Sequence, residues 1–199
     1  MMKTNRFSLI FLSGLLLAGA AFGQTAAENE RADRCDAIVA KIDKLNVLNQ
    51  ILPIVMTKEQ IRKLLPAIEK ARQKVRDTQK AEFEDLTKFD GRADAALSAA
   101  INKGSVPTQA QLDEFSALFG ALRMRRTQVA EENAENVCTV LMGILNAGQT
   151  KAASNQLNPK RFNPDIKVEE LKTEDKVRIY CREVLLHPLA YDLLVKMSK

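Results

Sequence analysis

The sequence predicts an all-α fold: an elongated antiparallel helical hairpin or bundle of long amphipathic helices, with an extra C-terminal helical segment. Three observations carry this expectation. Beyond residue 29 the apolar positions recur with a period of 3.6. Only five of the eight glycines lie beyond residue 23, too few for a turn-rich all-β chain. The polar residues before the apolar runs have helix-start spacing, Thr or Asn followed three residues later by Gln.

Taken in order, Lys3 and Arg6 form a basic start, and Phe7 to Phe22 is apolar apart from Ser8 and Ser13. That run is shorter than the roughly 20 residues a bilayer-spanning helix needs, and small residues at Ala21 and Gly23 suit cleavage before Gln24, with Ala18 and Ala20 as the alternative. Residues 1–23 therefore read as a signal peptide, which places the protein in the periplasm or outside the cell. No later segment is apolar enough to span a membrane. Residues 24–199 are expected to form a single all-helical domain: a hairpin core over 29–150, a connector over 151–172 and C-terminal helices over 173–198.

The first apolar stripe is Cys35, Ile38, Ile42, Leu45 and Leu52, ended by Pro53. The second runs Ile61, Leu64, Ile68, Val75, Phe83, Leu86, Ala93, Leu97 and Ile101. It predicts a rod over 58–103, about 70 Å long at 1.5 Å per residue, with a kink expected at Pro66 and a break conceivable at Asp90-Gly91. A third stripe, from Leu112 through Phe115, Leu118, Leu122, Val129, Val137 and Leu141 to Ile144, predicts the returning helix. Thr57 with Gln60, Thr108 with Gln111 and Asn146 with Gln149 read as capping boxes at helix starts. Asn158-Pro159 and Asn163-Pro164 mark turns in the connector, Thr173 is expected to cap the next helix, and Pro188 interrupts the last one.

The formal net charge of +5 falls to +3 once Lys3 and Arg6 are removed with the leader. The remaining charge is mixed along helix faces, with no basic patch interleaved with aromatics, so a nucleic-acid partner is not expected. One histidine, His187, excludes a site built on two imidazoles, and neither a nucleophile motif nor a Gly-rich phosphate loop is present. The sequence thus predicts no enzyme, no cofactor and no metal ligand set.

Met56-Thr57-Lys58-Glu59-Gln60 and Leu145-Asn146-Ala147-Gly148-Gln149 are two versions of one five-residue pattern. With the leader and the long charged helices, they resemble the LTxxQ-motif family of periplasmic proteins (Spy/CpxP-like) over residues 29–157. Met stands for Leu in the first copy and Asn for Thr in the second. The resemblance implies a curved helical hairpin, often a homodimer, acting as an ATP-independent chaperone or envelope-stress regulator on unfolded or envelope proteins. Some relatives bind zinc or other metals, so a metal-binding envelope sensor is the alternative, and a structural protein-interaction module is a third. Carried over by motif, Met56, Thr57, Gln60, Leu145, Asn146 and Gln149 stand at paired helix junctions.

For a client surface the sequence offers a basic and apolar set: Arg62 and Arg72 on the rod, and Phe119, Arg123, Met124, Arg125 and Arg126 on the returning helix. The same charged faces also read as solvated helix surface, although pairs such as Glu69 with Gln73 leave the rod without obvious self-neutralisation. Three cysteines in an oxidising compartment permit one disulfide. If helix one folds back on helix two near residue 55, Cys35 lies level with about residue 75. Helix three, folding back near 105, sets Cys138 level with about residue 72. The expectation is a Cys35–Cys138 disulfide, with Cys181 left buried or free for an intermolecular bridge.

Overall fold

A computed structural model describes residues 26–199, with side chains from residue 30; the leader expected over 1–23 lies outside the described residues. The described residues are all-α. α1 spans Ala26–Ile51 and ends in a 3-10 turn, Leu52–Ile54; α2 spans Lys58–Lys103, α3 Gln109–Ile144 and α4 Ala147–Asn155. After two 3-10 turns, α5 covers Thr173–Tyr180, runs into a π-helical turn at Cys181–Leu185, and is followed by α6, Ala190–Met197.

The rod forms as one helix, continuous through both Pro66 and Gly91. Its partner α3 returns along it after a turn closed by Gly104, whose left-handed φ of 61° suits glycine and ends α2. Cross-helix contacts fix the register: Asn133 donates to the Ala71 carbonyl at 3.1 Å near the base. Phe89 and Phe115 meet edge-on, 6.4 Å apart, near the tip.

The core sits at the base of the hairpin. Ile61, Leu64, Ile68 and Ala71 of α2 face Val137, Cys138 and Leu141 of α3, and both rows are covered by Val177, Tyr180, Val184, Leu185 and Leu194 from the C-terminal segment. Val47, Ile51 and Ile54 from the end of α1 complete it. The apolar period thus identified the buried faces near the base, but farther out the same rows emerge into solvent. Val75, Phe83, Leu97 and Ile101 are exposed, as is Leu112.

Helix one departs from expectation. Ile38, Ile42, Leu45 and Leu52, read as its buried stripe, are exposed, and the buried face is the opposite one, Val47 with Ile51. Rather than folding back along α2, α1 packs its end against α6 and the π turn, while α6 lies on α2. The connector is also shorter than expected, because residues 151–155 continue α4. Lys172, not Thr173, precedes α5 as its cap residue, its N–H donating to the Asp175 carboxylate at 3.1 Å.

Val55, between the 3-10 turn and α2, has a left-handed backbone (φ 53°, ψ 47°) and is 75% exposed. That region costs an L-residue about 1–2 kcal/mol, and a β-branched side chain is among the least suited to it. Val55→Gly is expected to raise stability by about 1 kcal/mol after the added chain entropy of glycine is counted. Thermal unfolding followed by circular dichroism reads this as a rise of about 2–4 °C; an unchanged or lower midpoint would refute the strain.

Candidate functional site

The two motif copies meet. Thr57 caps α2, its hydroxyl accepting from the Gln60 N–H at 3.2 Å, while Gln60 Oε1 accepts from the Thr57 N–H at 2.9 Å. Asn146 and Gln149 repeat this at the start of α4, with distances of 2.9 and 3.1 Å. These boxes are local, built from residues three apart, which is why the sequence revealed them.

The tertiary fold then sets them against each other. Gln60 Nε2 donates to Gln149 Oε1 at 2.8 Å, and Gln149 Nε2 donates to Gln60 Oε1 at 3.0 Å. The second N–H of each amide reaches the carbonyl two residues before the other's cap: Gln60 to Ile144 at 2.7 Å, Gln149 to Val55 at 2.9 Å. Every donor and lone pair of both amides is thereby used, in an approximately two-fold arrangement. The clasp joins the start of α2 to the α3–α4 junction, and the strained Val55 carbonyl is one of the groups it holds. Met56 and Leu145, the apolar members of the motif copies, pack against the core beside it. The third box, Thr108 with Gln111, forms at the hairpin tip without such a counterpart; its Gln111 Oε1 accepts from the Thr108 N–H at 2.9 Å.

The basic and apolar set expected to hold clients is divided between side chains with partners inside the fold and side chains that face solvent. Arg62 Nε donates to the Ser198 carbonyl at 3.1 Å, and the Arg72 guanidinium stacks over the Tyr191 ring, 4.2 Å from its centre. Both arginines therefore bind the C-terminal segment. Arg126 makes a forked pair with Glu82, at 2.7 to 2.9 Å, and Arg125 bonds Asp85 at 2.9 Å. Glu82 is only 4% exposed in its side chain, so the Arg126 fork is what makes its burial tolerable. Phe119, Arg123 and Met124 do face solvent. Sequence spacing located the arginines but not their acidic partners, which lie forty residues away across the hairpin.

Those partners form a ladder. Lys74 pairs with Glu132 and Arg92 with Glu114 between α2 and α3, while Glu69 bonds both Arg76 and Arg72 along α2. The rod face that looked unneutralised is in fact laced with pairs. Arg76 and Arg72 hold the Glu69 carboxyl below its usual range; Lys88 and Arg125 do so for Asp85, and Lys74 with Gln128 for Glu132. A depressed carboxylate contributes stability above its unfolded pKa, about 4, and that contribution is lost as pH falls through the lower folded value. The hairpin is therefore expected to keep its thermal midpoint between pH 5 and 7 and to lose stability as the pH falls below about 4. Circular-dichroism melts across that range check this; a steady midpoint down to pH 2 would discard the ladder as a stabilising feature.

The expected Cys35–Cys138 bridge is absent: all three cysteines are free thiols. Cys35 is exposed on α1, which does not run beside α2, while Cys138 is buried against the C-terminal segment. His187 accepts the Leu189 N–H at 3.2 Å through Nδ1, so it shapes the turn before α6. Among the described residues no three His, Cys, Asp or Glu side chains converge as a metal ion requires, and no helix is long and apolar enough to cross a membrane. No family model, curated protein or solved structure matches the chain.

Proposed function

We propose that the protein is an exported, ATP-independent chaperone-like or envelope-stress protein that holds unfolded or partner proteins against exposed apolar faces of its helices. The observation that carries this reading is the apolar surface left uncovered away from the base. Ile38, Val39, Ile42 and Leu45 line α1, Phe83, Leu97 and Ile101 line the outer half of α2, and Leu112, Phe119 and Met124 line α3. Such rows gain nothing from packing where they face water, and contiguous exposed apolar patches mark binding surfaces. Met124 beside Arg123 suits loosely defined clients, because a thioether repacks against varied shapes.

Export is supported by the basic start and apolar run of residues 3–22. The LTxxQ-type resemblance is supported by the way both motif copies meet at one junction through the reciprocal pairing of Gln60 and Gln149. The binding surface differs from the one suggested by charge alone: the paired arginines have structural partners, and the apolar side chains remain.

The test is light scattering of a chemically denatured client without ATP. Suppression of aggregation is expected, and Phe83→Gln combined with Phe119→Gln should weaken it several-fold while shifting the thermal midpoint by no more than about 2 °C, as surface substitutions do. No suppression at molar excess of protein would exclude general client holding. A single partner recovered from envelope extract would instead favour a dedicated interaction module.

A further inference from the structure

The cysteines carry an inference independent of the protein-binding reading. Cys138 lies on α3, and Cys181 is the first residue of the π turn that continues α5; they are 2% and 0% exposed. Both side chains belong to the one core cluster where α5 and the π turn pack on α3, and Cys138 Sγ approaches the Glu174 carbonyl at 3.9 Å. Ion pairs between the same two elements hold them in register: Arg178 to Glu135 at 3.2 Å and Arg182 to Glu131 at 2.8 Å. The wide turn starts at the thiol itself, the Leu186 N–H reaching back to the Cys181 carbonyl at 2.9 Å. Two thiols far apart in sequence are thus juxtaposed where the tail meets the hairpin.

We propose that Cys138 and Cys181 form a buried oxidation site, closed to a disulfide by exchange with a small-molecule or protein disulfide, which ties the C-terminal segment covalently to the hairpin. The roles of the two sulfurs differ. The neighbouring Cys181 thiol lowers the pKa of Cys138, while burial pushes the Cys181 thiol well up. Cys138 is the attacking thiolate. It bonds to one sulfur of the disulfide, whose S–S bond breaks, and the leaving thiolate takes up the proton that Cys138 gave. Cys181 then loses its proton and attacks Cys138 Sγ in the mixed disulfide, expelling the second thiolate, which takes that proton. Two protein thiols are oxidised, and one disulfide is reduced to two thiols. Because both sulfurs are buried, exchange requires residues 173–185 to lift locally from α3, and closure prevents that opening afterwards.

The full chain, incubated with oxidised glutathione, alkylated and mapped without reduction, tests this. A cross-linked Cys138–Cys181 peptide is expected, with Cys35 the single alkylated thiol. The thermal midpoint should rise by about 10 °C and return on adding dithiothreitol. Cys35→Ser should keep the shift, whereas Cys138→Ala and Cys181→Ala should each abolish it relative to their own reduced states. Three alkylated thiols, a persistent glutathione adduct on Cys138, or a bridge involving Cys35 would each overturn the assignment.

Discussion

Replacing Tyr180 by Ala is expected to cost about 4 kcal/mol. Tyr180 is fully buried where the end of α1 and the hairpin base meet the tail, and its ring is the largest side chain in that core. Removing it leaves a cavity that three separate elements would have to collapse to fill, and their geometry is held by the ion pairs and clasp around them. Its hydroxyl reaches only the Gln50 carbonyl, at 3.4 Å, so Tyr180→Phe should lose no more than about 1 kcal/mol. Urea unfolding separates the two: the Ala variant should lose about 2 M in its midpoint while the Phe variant stays within 0.5 M of the parent. A small loss in the Ala variant would mean that the tail packs loosely and contributes little to the folded unit.

The second large effect is expected at the glutamine clasp. Gln60→Ala leaves the Thr57 N–H and the Ile144 carbonyl without their partner and strips two bonds from Gln149, at an expected cost of about 2 kcal/mol. Gln149→Ala should cost a similar amount, and the double variant about 1 kcal/mol less than the sum, because the amide pair is lost in either single change. Gln60→Glu distinguishes a clasp from a simple cap. A carboxylate still accepts the Thr57 N–H but cannot donate to Ile144 or Gln149, so it should be nearly as damaging as Ala. The equivalent Gln111→Glu change, at the tip where only the local box exists, should be close to neutral. Equal effects at the two sites in chemical denaturation would show that the inter-helix bonds contribute nothing measurable.

These two regions mark how far the sequence could be read. The boxes at Thr57, Thr108 and Asn146 were legible because each is closed by residues three apart, with no contribution from the rest of the chain. The span of the rod was legible for a similar reason, since its hydrogen bonds reach only four residues, but its continuity through Asp90-Gly91 was left open by the sequence and decided by the fold. The face of α1 was not legible. Ile38, Ile42 and Leu45 form as good a stripe as Val47, Ile51 and Ile54, and only the second row, visible as a separate three-and-four spacing, meets a core. The error in α1 carried directly into the cysteines, since a Cys35–Cys138 pairing required α1 to lie along α2, against which α6 packs instead.

By itself, then, the sequence determined the all-α class, the long hairpin and the caps, because these rest on backbone hydrogen bonds and periodicities that close within a turn or two. Tertiary structure alone decided which apolar rows are covered, which arginines meet carboxylates, and which two thiols share a core. Each of those depends on where a distant segment docks, and in this chain it is the C-terminal segment, bound by Arg62, Arg72, Arg178 and Arg182, that takes those positions.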